Sequence, residues 1–138
     1  MLKSAQPNRK QHAHHLFQRE RQVVKHVKHT PCANVEDRKD EYVITVAAPG
    51  FHRQHLQVNI DGNEVCINAK KEACTTSCEP GKKVRSEYDF SEWKRHFRLP
   101  QNADTFFTNA FYLNGELEVH IPKSDKPLTS ASVRVDVY

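Results

Sequence analysis

Glycine is scarce in this sequence, and long apolar runs are missing from it. Only 4 of its 138 residues are glycine, which disfavours the glycine-rich loops that cradle phosphates. No stretch approaches the roughly 20 apolar residues of a membrane helix, and no apolar run follows Met1-Leu2-Lys3 to form a signal peptide. We therefore expect one cytoplasmic domain with no membrane partner.

Catalytic and metal-binding motifs are also missing. The sequence has no nucleophile elbow, no His-Glu-x-x-His and no phosphate loop, so we expect neither an enzyme nor a cofactor. Cys74 and Cys78 form one loose pair, whereas zinc ribbons need two close pairs. We expect unreactive thiols, with a redox-sensitive loop as the alternative. The cluster His12-Ala13-His14-His15 suits adventitious metal binding better than a dedicated site.

Positive charge is concentrated at the N-terminus. Residues 1–31 hold seven of the 21 basic residues and one of the 17 acidic ones, a charge of +6, and the remainder carries −2. We interpret residues 1–30 as a basic arm that is at most partly ordered. The arm carries a narrow apolar stripe that needs a partner surface, formed by Leu16, Phe17, Val23, Val24 and Val27.

From Pro31 onward, apolar and polar residues alternate with the period of a β-strand. Tight turns are predicted at Asp61-Gly62-Asn63 and Asn114-Gly115. Seven or so short strands without a helix-length pattern predict an all-β fold, an antiparallel immunoglobulin-like sandwich. Residues 71–86 are polar and irregular, and a loop of this length is usually functional or mobile.

The second half of the chain carries the most specific motif. Phe97-Arg98-Leu99-Pro100 is followed by Ala110 and then by Asn114-Gly115-Glu116-Leu117-Glu118-Val119-His120-Ile121-Pro122-Lys123. With Ala47-Ala48-Pro49-Gly50-Phe51, this order resembles the small heat-shock proteins built on the α-crystallin domain, in particular the bacterial type. The resemblance covers residues 31–123, which leaves 124–138 as a C-terminal tail.

The resemblance implies an ATP-independent holdase chaperone, which binds partly unfolded client proteins and prevents their aggregation. It also implies a homo-oligomer built from dimers, in which a short strand in the long loop pairs with the neighbouring subunit. By that analogy, Arg95 lies near the interface and pairs with an acid such as Glu87. The strand Ser86, Glu87, Tyr88, Asp89 and Phe90 would pair with residues 32–36 of the neighbour, which include Cys32, Ala33, Asn34 and Val35.

The tail ends in alternate valines, Val133, Val135 and Val137. They look like the aliphatic anchor of the family, which fills a groove on another dimer. Here that groove would be lined by Leu56, Val58, Ile60, Thr108, Ala110 and Tyr112. Two registers are possible, Val133 with Val135 or Val135 with Val137. An edge strand of the same subunit is the alternative.

Two other functions stay open at this stage. A β-sandwich co-chaperone or interaction module is one, although such domains lack a valine anchor and usually carry an acidic tail. A nucleic-acid binder that uses the basic arm is the other. Without an aromatic platform or recognition helix, such binding would be non-specific and salt-sensitive, so nucleic acid is not an expected partner.

Overall fold

The computed structural model describes residues 30–72, 84–85, 87–127 and 132–138. The chain divides into two units: one comprises Met1–Lys28 and Thr75–Asp89, and the other His29–Cys74 and Phe90–Tyr138. In the described part of the first unit, the guanidinium of Arg85 pairs with the carboxylate of Glu87 at 2.6 Å. The second unit contains all the strands described below.

In the described part of the chain, eight strands form two antiparallel sheets, which confirms the predicted all-β sandwich. The first sheet has the order β1-β2-β7-β6, and the second has the order β5-β4-β3-β8. The described residues contain no α-helix, and Arg53–His55 form a single 3-10 turn. The strands are β1 Ala33–Asp37, β2 Glu41–Ala47, β3 Leu56–Asp61, β4 Glu64–Lys70, β5 Glu92–Arg98, β6 Asn109–Leu113, β7 Glu116–Pro122 and β8 Ser132–Val135.

The core lies between the two sheets and is built from alternate residues. On a strand, successive side chains point to opposite faces, so the apolar positions of each strand collect on its inner face. The predicted alternation is confirmed in β2, β3, β4 and β7, because its apolar members are buried: Tyr42, Ile44, Val46, Leu56, Val58, Ile60, Val65, Ile67, Ala69, Leu117, Val119 and Ile121.

Both predicted hairpin turns are present. Asn114 and Gly115 join β6 to β7 with φ of 51° and 81°, and two consecutive positive φ values are typical of a type I′ turn. Gly62 joins β3 to β4 with φ of 58°, a positive value at the first central position that fits a type II′ turn. These turns fix the pairing of Leu113 with Glu116 and of Asp61 with Glu64.

Two elements differ from the expectation. β1 begins at Ala33 and ends at Asp37, one residue later than the segment 32–36 expected from the resemblance. The end of the predicted tail pairs within the same subunit, as in the alternative of an edge strand, because Ser132–Val135 form β8 and complete the second sheet. Its alternate valines therefore belong to the period-two pattern of the sandwich.

Candidate functional site

The C-terminal strand β8 lies along the outer edge of β3. The two strands are antiparallel, with Val135 opposite Val58 and Val133 opposite Ile60. This register turns both valines towards the core, where the Val135 side chain is only 7% exposed and Val133 is partly buried. Burial of a valine side chain contributes about 1.5–3 kcal/mol before the cost of ordering the chain. The free energy that attaches this strand to β3 is therefore modest.

The last two residues reach the other sheet. Val137 forms a parallel bridge with Ala110 of β6. The Tyr138 N–H donates to the Ala110 carbonyl oxygen at 3.0 Å, and the Tyr112 N–H donates to the Tyr138 carbonyl oxygen at 2.8 Å. One short segment thus covers the edge of β3 in one sheet and the edge of β6 in the other. Unpaired strand edges attract other β-segments, and this segment occupies two of them.

Tyr112 fixes the position of β6, which forms one side of the surface that the C-terminal segment covers. Its hydroxyl lies 2.7 Å from the carbonyl oxygen of Ala48 and 3.0 Å from that of Phe51, and its single proton satisfies one of them at a time. The aromatic ring therefore ties β6 to the loop after β2. Thr108, just before β6, is buried, and its hydroxyl has no hydrogen-bond partner in the described part of the chain.

The structure brings the predicted anchor and most of the predicted groove together within one subunit. Val133 and Val135 meet β3, Val137 meets Ala110, and all three valines pack at the core. The two registers proposed from the sequence are therefore not exclusive. The arrangement corresponds to the alternative of an edge strand of the same subunit, and docking on a second dimer stays a prediction.

On the side of the sandwich away from β6 and β8, the outer strands are β1 and β5. No further strand of the described residues pairs with the outer edge of β1 or of β5. Val35 of β1 points to the inner side of its sheet and is nevertheless 61% exposed. The guanidinium of Arg95 donates to the Pro31 carbonyl oxygen at 2.9 Å and lies 5.1 Å from the centroid of the Phe97 ring. This side therefore has an open edge and an uncovered apolar side chain.

The segment predicted to exchange between subunits forms no strand at its described residues 87–90. Tyr88 is largely exposed and Phe90 is partly buried at the core, whereas Ser86 lies outside the described residues. By the resemblance, the partner strand of this segment belongs to a neighbouring subunit. Pairing with residues 32–36 and the ion pair of Arg95 stay predictions.

The two sheets and the paired C-terminal segment lie within a chain region that matches a known protein family. A family model described as the Hsp20/alpha crystallin family matches residues 34–138. The chain belongs to this family. The match includes β8 together with the rest of the sandwich, so the C-terminal strand is part of the family pattern.

Relatives of this family come from distant organisms. The 17.7 kDa class II heat shock protein of Arabidopsis thaliana is 34% identical over 96 residues, 69% of this chain and 62% of that protein. Small heat shock protein C4 of Rickettsia felis is 27% identical over 97 residues, 70% of this chain and 59% of that protein. The chain thus spans about three-fifths of the length of these curated relatives.

A solved structure of the family has the same fold. Heat shock protein 16.0 from Schizosaccharomyces pombe superposes with a TM-score of 0.65 at 26% identity, covering 75% of this chain and 81% of that one. The hspA structure from Xanthomonas axonopodis gives a TM-score of 0.60 at 26% identity, covering 70% and 96%. Both likenesses support the assignment of the sandwich to the α-crystallin domain.

One charged cluster lies on the outer face of the first sheet. His120 has its Nδ1 3.1 Å from Oε2 of Glu41 and its Nε2 3.2 Å from Oε2 of Glu118. The hydrogen bond with His120 holds the pKa of Glu41 below its usual value, and a hydrogen bond from Arg38 acts in the same direction against partial desolvation. Arg38 also pairs with Glu36 at 2.8 Å, so the cluster joins β1, β2 and β7.

Several predicted features lie outside the described residues. They are the arm residues Leu16, Phe17, Val23, Val24 and Val27, the histidines of residues 12–15, and the thiols Cys74 and Cys78. Cys32 is an exposed free thiol and Cys66 a half-buried one. In the part of the chain that the structure covers, no three His, Cys, Asp or Glu side chains are placed to hold a metal ion. No helix there is long and apolar enough to cross a membrane.

Two features of this region were not predicted from the sequence. The first is that Tyr138 takes part in the edge pairing, although the alternation Val133-Arg134-Val135-Asp136-Val137 runs up to it. The second is the pair of exposed apolar residues on the outward side of β6, Phe111 and Leu113. The sequence pattern that could have revealed them is their alternation with Ala110 and Tyr112, which gives β6 apolar residues on both faces.

Proposed function

We propose that this protein is an ATP-independent holdase chaperone, which binds partly unfolded client proteins and limits their aggregation. The observation that carries the proposal is the C-terminal segment of residues 132–138, which consists of β8 and the three residues after it. It covers the edges of both β3 and β6 while burying few side chains. A weakly held strand can give way to another extended segment, and edge addition is a general way of binding unfolded chain.

Membership of the Hsp20/alpha crystallin family supports the same activity. We further propose that the working form is a homo-oligomer built from dimers, in which residues 86–90 pair with β1 of a neighbour and residues 133–137 dock in trans. Residues 1–30 would act as the assembly or client-contact arm, on a domain of residues 31–123 with a tail of 124–138. A cytoplasmic location and the absence of catalysis are part of this proposal.

A heated model substrate tests the chaperone activity. Light scattering of a heat-labile enzyme is followed without ATP, with this protein added at an equimolar ratio of subunits. We expect most of the scattering to be suppressed, and added ATP to change nothing. An inert protein at the same mass concentration controls for crowding. No suppression at the equimolar ratio would contradict the proposal.

Nucleic-acid binding is not favoured by the described surface. The outer face of the first sheet carries Glu36, Glu41, Glu116 and Glu118, and a polyanion would be repelled from it. The basic residues on the second sheet, Lys70, Lys94, Arg98 and Arg134, are interspersed with acidic ones, so the arm is the main positive segment for such binding. Retention of the full chain on DNA at low salt, compared with a chain lacking residues 1–30, separates this alternative from the chaperone.

A further inference from the structure

The outer face of the first sheet carries an apolar and acidic strip on β6 and β7. Phe111 and Leu113 point outwards from β6 and are 47% and 71% exposed. Their cross-strand partners on β7 are Glu118 and Glu116 respectively. Side chains of opposite residues on an antiparallel pair lie about 5 Å apart. Each exposed apolar group therefore stands beside a carboxylate.

The strip borders Tyr138 at the end of the docked C-terminal segment, but its side chains point outwards, away from the core. The Phe111 ring is 6.4 Å from that of Tyr138 and 5.8 Å from that of His120, measured between centroids. Ala110 and Tyr112 of the same strand turn inwards to the groove. A segment lying on the strip would therefore not need to displace residues 133–137.

Resting on the proposed chaperone function, we propose that this strip, Phe111, Leu113, Glu116 and Glu118, is a second client-contact surface. It selects unfolded segments that combine apolar residues with lysine or arginine. The apolar side chains of such a segment bury Phe111 and Leu113, and its cations pair with Glu116 and Glu118. Glu118 stays available because its side chain is about half exposed beside His120.

The charge of the rest of the molecule would not by itself produce a preference for cationic segments. The chain as a whole carries +4, so attraction by net charge alone favours anionic segments. The outer face of the second sheet is mixed, with Lys70, Lys94, Arg98 and Arg134 beside Glu64 and Glu92. Preference for a cationic segment can therefore be assigned to a local acidic surface.

Two fluorescent peptides test the proposal with the full-length protein. They are unstructured, share the same leucine, phenylalanine and serine residues, and differ only in carrying lysines or glutamates. We expect the cationic peptide to bind about fivefold more tightly in about 20 mM NaCl, from two exposed ion pairs. The difference should fall below about twofold in about 500 mM NaCl because salt screens exposed charges.

Variants locate the binding. Glu116→Gln with Glu118→Gln should remove the preference while leaving the weaker binding of the anionic peptide unchanged. Phe111→Ser with Leu113→Ser should weaken both peptides severalfold. Glu64→Gln with Glu92→Gln, the matched pair on the second sheet, should change neither. Circular dichroism of each variant confirms that the sheets are formed.

Three results would overturn the proposal: equal binding of the two peptides, loss of the preference in the Glu64 and Glu92 variant, or an oligomer mass that changes with Phe111→Ser and Leu113→Ser. The last would mean that the strip serves assembly, either because a second copy of the chain covers it or because Phe111 supports the docked segment through Tyr138. If aggregation is still suppressed in these cases, the chaperone function stands without this surface. Failure of both assays would remove the proposed function itself.

Discussion

Among the glycines that the structure describes, Gly115 is the one where neighbouring backbone leaves least room for a side chain. Its φ is +81°, and a Cβ there would lie 3.3 Å from Cα of Pro49. We expect Gly115→Ala to destabilise the domain by about 1–2 kcal/mol, because a left-handed conformation is unfavourable for alanine and Pro49 must also shift. Urea unfolding at a fixed subunit concentration measures the difference.

Gly62 supplies the matched control. Its φ is +58°, but a Cβ there meets no atom within 4 Å. Gly62→Ala should therefore cost about 1 kcal/mol from the backbone conformation alone. Equal losses for the two variants would contradict the role assigned to Pro49, since both share the positive φ.

Glu41 gives the domain a pH dependence at the residue scale. Because its pKa is lowered in the folded state by His120 and Arg38, its ionised form stabilises the fold. That stabilisation is present above the unfolded pKa of about 4.3 and is lost as the pH falls through the folded pKa. We expect Glu41→Gln to lower the urea midpoint at pH 6, and we expect the difference from the parent protein to shrink as the pH is lowered below the unfolded pKa. A difference that does not change with pH would show that the ionised carboxylate contributes nothing.

At the scale of elements, the C-terminal strand is the one whose attachment rests on few side chains. Val135 faces the core, whereas Arg134 faces solvent on the same strand. Val135→Ser should raise hydrogen exchange of the Tyr112 and Tyr138 amides about ten- to hundredfold, since those amides pair only when this segment is docked. Arg134→Ser, on the same strand, should leave the exchange unchanged. Similar exchange in the two variants would mean that the valine does not hold the strand.

The strands differ in how well the sequence predicts them. β3, β4 and β7 have apolar residues at alternate positions, so their buried faces are evident from the sequence alone. β2 is less strict, because Val43 is apolar and buried on the face opposite to Ile44. β6 is less clear, because Phe111 and Leu113 are apolar on the outward face. Alternation also cannot tell which edge a terminal strand takes, since Val133, Val135 and Val137 would suit any apolar groove. That choice depends on the spacing between β3 and β6, which only the folded sandwich provides.

At the scale of the whole molecule, the free edges and the docked strand set the expected assembly. If residues 133–137 dock in trans, replacing Val133, Val135 and Val137 by glycine removes the side chains that fill the groove. We expect the mass measured by light scattering to shift towards that of dimers. Glycine at Ser132, Arg134 and Asp136 is the control, because it loosens the backbone equally but leaves the valines in place. An unchanged mass in the valine variant would refute docking between dimers.

The sequence by itself determined the class of fold, the two hairpin turns, most of the core and the family. These follow from local rules: side chains alternate on a strand, and Asn114-Gly115 favours a turn with positive φ. Tertiary structure decided where the C-terminal valines lie and that Phe111 and Leu113 stand beside Glu118 and Glu116. Those placements depend on register between strands far apart in sequence. The three glycines within the described residues, Gly50, Gly62 and Gly115, each have a positive φ, so these glycines stand where the backbone requires a left-handed conformation.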